Sequence, residues 1–114
     1  MEKEDRLYIL WTNADLNTSL HMVFMYAKNS IIKGWWDHIT VIIWGATALL
    51  AAENTLIQEE IKAAKALGVE ISACVTCAKK LGSLESLEKQ GIEIKPWGEP
   101  LTEILKANGK LLTV

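Results

Sequence analysis

Residues 39–45 read Ile-Thr-Val-Ile-Ile-Trp-Gly, and this run decides the fold. It is apolar almost throughout, dominated by β-branched side chains and without polar alternation, which describes a strand covered on both faces. That is the pattern of a parallel sheet. The glycine that follows turns the chain.

Upstream, Leu7 to Trp11 forms a second apolar run. Between the two lies a segment from Asp15 to Ile32 in which Leu16, Leu20, Val23, Phe24, Ala27 and Ile31 recur at helical spacing. Met22, Met25 and Tyr26 widen that stripe until little of the surface is polar, so the helix needs two coverings, the sheet and a neighbouring subunit. Lys33-Gly34 ends it. Downstream, a helical turn from Ala46 to Ala52 breaks at Glu53-Asn54, and Thr55 with Gln58 has capping-box spacing for a helix ending at Gly68.

A third strand, Val69 to Ala73, delivers the chain to Cys74-Val75-Thr76-Cys77 and to helical pieces around 78–81 and 84–90. Ile92 to Lys95 is a fourth strand and Pro96 to Glu99 a loop. Pro100 opens a helix that stops at Asn108-Gly109, and Leu111 to Val114 adds a short edge strand. Strand-helix alternation with few hairpin signals predicts an α/β domain: a mainly parallel sheet, helices on both faces, right-handed crossovers. With 114 residues and no linker, low-complexity tract or long repeat, the chain is expected to be one domain, 1–114.

Half the residues are hydrophobic and 23% are charged, a balance that supports a packed core. The net charge is −2 and the twelve Lys and Arg residues are scattered, so the electrostatic footprint of a nucleic-acid binder is missing. No apolar run reaches membrane-spanning length. The opening segment, MEKEDR, lacks the charged, apolar and small-residue regions of a signal peptide. The expected compartment is the cytoplasm, and the two cysteines are expected as reduced thiols.

All strands of a parallel sheet end on one edge, and ligand sites form in the crevice beyond it. The sequence marks that edge with Trp11-Thr12-Asn13, Trp44-Gly45, Cys74 through Cys77, and Trp97-Gly98. The expectation is a pocket lined by Trp11, Asn13, Trp44, Gly45, Trp97 and Gly98 beside Cys74 and Cys77. A cysteine where a strand hands over to a helix lies near unpaired N–H groups and the positive end of the helix dipole, both of which favour thiolate. Lys79 and Lys80 could add positive potential, although lysines there equally suit a solvated face. Against a chemical role, cysteine is among the most buried residue types, and aromatic residues at strand ends commonly close off a core. Trp35 and Trp36 fall at the opposite edge and read as packing or subunit contacts.

Other classes fit less well. A thioredoxin-like reductase would carry Trp directly before its first Cys and a Gly-Pro-like pair between the two, whereas here Ala73 precedes Cys74 and Val-Thr fills the gap. His21 and His38 neighbour neither cysteine in sequence, which leaves a Cys-His pair unsupported and zinc conceivable only between subunits. The loop after the first strand, Trp11 to Asp15, has no glycine for a nucleotide phosphate. No cofactor or metal is implied. Asp15, Glu99 and Glu103 could supply acid-base groups, but acids at helix starts usually complement the dipole.

The order of YILWTN, MVFMYA, IIWGA, ACVTCA followed by KKLG, and GEPLTE resembles the DsrE family of sulfur-relay proteins, in its small DsrE/DsrF-like or YchN-like homo-oligomeric branch. The resemblance covers nearly the whole chain. It implies a three-layer α/β/α domain with a largely parallel, five-stranded sheet, assembled into dimers, trimers or hexamers. It also implies a persulfide carrier. In sulfur-relay members a cysteine after the third strand accepts sulfur from an upstream donor and passes it to a partner protein, and Cys74 is the matching position. Cys77 departs from the simplest relay pattern. Three readings therefore stand: sulfur carriage on Cys74, dithiol redox exchange by Cys74 and Cys77, or a non-catalytic oligomeric ligand-binding or scaffold protein.

Overall fold

Strand β2, His38–Ile43, is the axis of the sheet. The structure, a computed structural model, describes residues 5–114; the first four residues of the charged opening segment lie outside them. In chain order the elements are β1 (Arg6–Trp11), α1 (Leu16–Thr18), a π-helical stretch (Ser19–Phe24), α2 (Met25–Ile32), β2, α3 (Ala46–Glu53) and α4 (Thr55–Ala66). There follow β3 (Glu70–Cys74), α5 (Val75–Lys80), α6 (Leu84–Lys89), β4 (Glu93–Lys95), α7 (Gly98–Lys106) and β5 (Lys110–Thr113). The five strands lie in the order β4-β3-β2-β1-β5 and every pairing is parallel, in the expected three-layer α/β/α arrangement.

That order divides the helices unequally. From β1 to β4 each connection steps one strand in the same direction, and right-handed crossovers then place their helices, α1 to α6, on one face. Only the return from β4 to β5 puts a helix, α7, on the other. The main core follows this division: Leu7, Ile9 and Trp11, Ile39, Val41 and Ile43, and Ile71 and Ala73 alternate along their strands to meet Val23, Phe24, Ala48, Ile57, Ile61 and Leu87. A smaller cluster of Ile42, Cys74 and Trp97, flanked by Tyr8, Leu10, Trp44 and Ile104, fills the second face. β2 is therefore buried on both sides, as its unbroken apolar run requires. β1 buries only alternate residues; among the described residues α7 is the helix on its other side, where Tyr8 and Leu10 group with Ile104.

Most strand ends fall within a residue of the sequence expectation, and three helical features depart from it. The helix expected from 15 to 32 contains a π-helical stretch, and the fully buried Ser19 at its start donates to the Asp15 carbonyl at 2.8 Å, a side-chain bond that competes with the backbone. The cap of α4 is Asn54, whose Oδ1 accepts from the Ile57 N–H at 3.0 Å; Thr55 is already helical. Gln58 instead donates to the Ala51 and Ala52 carbonyls at the end of α3. Helix α7 begins at Gly98 and carries Pro100 in its first turn, where the missing N–H costs nothing. Asn54→Ala is expected to cost about 1 kcal/mol in urea unfolding, with Asn54→Asp close to the parent, because only an acceptor at this position satisfies the Ile57 N–H.

At the far edge β5 lies against β1, with Ile9 opposite Leu112. The Val114 carbonyl accepts from the N–H groups of Thr12 and Asn13, at 2.7 and 3.1 Å, and from the Thr12 hydroxyl at 3.0 Å. The end of β1 is fastened to the end of β5.

Candidate functional site

Cys74 is the last residue of β3 and the N-cap of α5, so its position at the carboxyl edge is a direct consequence of where the strand stops. Strand alternation puts it in phase with Ser72, on the second face, where it packs with Ile42 and Trp97 and is 6% exposed. Cys77 lies in the first turn of α5 and touches both clusters. It is half-buried, and both thiols are free.

Cys77 packs against the small cluster that holds Cys74. Burial pushes the Cys77 thiol up from its ordinary range; a hydrogen bond from the Gly45 N–H works against that rise, the charge and side-chain hydrogen bond of Cys74 add to it, and Lys80 lowers it. Cys77 therefore favours its protonated form. Of the two lysines singled out by sequence, both are exposed, and only Lys80 bears on Cys77.

Gly45 joins this pair from the neighbouring strand. It caps α3 with φ 70° and ψ −133°, a conformation open only to glycine, which turns the chain away from the end of β2. Thr47, unremarked in the sequence, is the residue that holds this turn. Its fully buried hydroxyl donates to the Trp11 carbonyl at 2.7 Å, with the Trp44 carbonyl as second acceptor at 3.2 Å, and accepts from the Trp44 N–H at 3.2 Å. A threonine just after a strand-ending glycine was the only available signal.

The three indoles do not share one rim, which corrects the expectation for Trp11. Trp11 pairs with Ile43 in register, so Trp44 falls one residue further on and follows Ile42 to the opposite face. Trp11 is fully buried in the main core, with its ring edge-on to Phe24 at 5.1 Å. Its Nε1 donates to the Ser19 hydroxyl at 3.0 Å and the Asn13 carbonyl at 3.1 Å. Trp44 and Trp97 are grouped with Cys74. Trp97 donates its Nε1 to Ser72 Oγ at 2.8 Å, and the Lys95 ammonium lies 4.4 Å from its ring centroid.

The remaining candidates serve their own turns. Asn13 Oδ1 accepts from the Asp15 N–H at 2.9 Å, and the Gly98 carbonyl accepts from the Thr102 hydroxyl at 2.8 Å. Asp15 caps α1: its carboxylate accepts from the Thr18 N–H and hydroxyl, and these bonds hold it below the usual carboxylate range. Glu99 and Glu103 are exposed on α7, His21 is exposed on the π-helical stretch, and His38 begins β2 at the edge opposite the thiols. Among the described residues no group of three or more His, Cys, Asp or Glu is arranged to hold a metal ion, and no helix is long and apolar enough to cross a membrane.

Two solved structures resemble the chain. A conserved protein of unknown function from Bacteroides thetaiotaomicron is 41% identical with a TM-score of 0.94, over 96% of this chain and 95% of its own. The ychN protein from E. coli is 20% identical with a TM-score of 0.73, over 96% and 99% respectively, a likeness of fold. No family model and no curated protein matches the chain.

Proposed function

The chain belongs to the family of the Bacteroides thetaiotaomicron conserved protein and has a YchN-like fold, and from that premise we propose that it is a sulfur carrier working through Cys74, with Cys77 as its partner thiol. The observation that carries the reading is the packing of Cys77 against the cluster that holds Cys74, two free thiols at the carboxyl edge of a parallel sheet.

Cys74, as thiolate, attacks the outer sulfur of a donor persulfide R–S–SH. The bond between the donor's two sulfurs breaks, R–S⁻ leaves, and Cys74 carries –S–SH. An acceptor protein's thiolate then takes the outer sulfur and regenerates the Cys74 thiolate. Cys77 opens a second exit: as thiolate it attacks the inner sulfur of the Cys74 persulfide, expels HS⁻ and closes a Cys74–Cys77 disulfide, which an external dithiol must reduce.

The partners in this reading are a sulfur donor protein, an acceptor protein and further copies of the chain, as a dimer, trimer or hexamer in the cytoplasm. Exposed apolar side chains support self-association, with Ile32 at 63%, Trp35 at 53% and Met25 at 47%. The test is to incubate the purified protein with a persulfide donor and weigh it intact. A gain of one sulfur atom per chain is expected; no gain removes the carrier reading and leaves a scaffold or ligand-binding role.

A further inference from the structure

A sulfur carrier has to present its thiol to a donor, yet Cys74 is only 6% exposed, so what covers it decides how it is reached. Cys77 apart, the side chains grouped with Cys74 come from two sources of unequal anchorage. Tyr8, Leu10 and Ile42 belong to β1 and β2, and Trp44 follows β2 directly, so all four are tied into the sheet. Trp97 and Ile104 come from beyond β4, as the N-cap of α7 and a residue of its second turn. No residue of α7 is itself buried, whereas α4 buries Ile57, Ile61 and Ala64. A helix with so little buried surface opens at a lower free energy than the sheet beneath it.

Trp97 is what fastens this helix. It is buried, and its Nε1 donates to the Ser72 hydroxyl at 2.8 Å, while the Lys95 ammonium, paired with Glu93 at 3.3 Å, lies 4.4 Å from the ring centroid. Ser72 precedes Cys74 by two residues on the same face of β3, and Lys95 stands opposite Cys74 in the β3–β4 register. The indole is thus held at the two neighbours of Cys74, one along the strand and one across it. We infer that Trp97, carried by α7, is the lid of Cys74, and that the Ser72 hydroxyl is its latch. The purpose of the lid rests on the carrier reading: closed, it keeps the thiol from adventitious reagents, and opening admits a donor persulfide. Ser72 keeps its own bond to the Glu93 carbonyl, at 3.0 Å, so the latch stays positioned while the lid is open.

The test follows alkylation of Cys74 by iodoacetamide in a Cys77→Ala background, where it is the only thiol. Lid opening exposes little surface, so well below the unfolding transition the rate is expected to rise only shallowly with urea. A rate that carries the full urea dependence of global unfolding overturns the proposal. Ser72→Ala removes the latch and is expected to speed alkylation about fivefold without urea. The control is Ser19→Ala, which removes the same kind of bond, indole N–H to serine hydroxyl, from Trp11 on the opposite face. It is expected to lower stability and leave the alkylation rate at the parent value. An unchanged rate in Ser72→Ala overturns the proposal, as does an equal rise in Ser19→Ala, which would make general destabilisation the cause. Should Ser72→Ala fail to fold, the urea dependence of the parent decides alone. A wild-type protein that takes up no persulfide while the latch effect holds loses the carrier reading and keeps the lid; uptake without the latch effect loses the lid and keeps the carrier.

Discussion

Trp11→Ala is expected to lower the free energy of unfolding by about 3–5 kcal/mol, the range for removing a large aromatic side chain from a packed core. The indole is fully buried, meets Phe24 edge-on at 5.1 Å, and satisfies the Ser19 hydroxyl and the Asn13 carbonyl. Alanine would leave a cavity beneath the carboxyl ends of β1 and β2. Trp11→Phe keeps the ring contact but withdraws the N–H donor, and is expected to cost about 1–3 kcal/mol. Urea unfolding followed by far-UV circular dichroism measures both. Persulfide uptake per folded molecule, measured in parallel, should be unchanged in Trp11→Phe. A fall there with stability intact would return Trp11 to the thiol pocket and contradict its placement in the main core.

Cys74→Ser is expected to abolish persulfide uptake, whereas Cys77→Ser should still take up sulfur and hold it longer. The difference lies in which thiol is the nucleophile. Cys77 is pushed above the ordinary thiol range, chiefly by burial, so near neutral pH it stays protonated. Sulfide release in the wild type, which needs Cys77 as thiolate, should therefore rise about tenfold per pH unit until Cys77 titrates. The sign for stability is opposite. A thiol whose proton is held more tightly in the folded chain favours folding at neutral pH, and that contribution is lost as pH rises through the thiol range toward its folded value. Timed intact-mass spectra and sulfide release across pH check these outcomes. Loss of uptake only in Cys77→Ser would reverse the assignment of roles.

Much of this architecture was legible because β2 is apolar on both faces, and a strand with that pattern has few places to sit other than the middle of a parallel sheet. The strand-to-helix handover at the thiols was legible from the alternation in Val69 to Ala73, although the strand runs from Glu70 to Cys74 and takes in the first thiol. The fate of Trp11 was not, because it depends on a register offset of one residue between β1 and β2, and each strand read alone is silent about its neighbour. The grouping of Trp44 with Cys77 around one small cluster was hidden likewise, since it requires β2 and β3 to be adjacent. Asn54 was overlooked as a cap because Thr55 with Gln58 offered a complete capping box one residue later, and backbone conformation decided between them.

The placement of β5 beside β1 bears on how the chain assembles during synthesis. Thr12 and Val114, which join the two strand ends, are separated by 102 positions. A ribosome therefore releases β1, β2 and β3, able to pair in the order they emerge, long before the strand that covers the outer side of β1 exists. Throughout that interval β1 offers an open row of backbone donors and acceptors, the kind of surface on which nascent chains adhere to one another. The fifth strand in chain order is thus the one that covers the first.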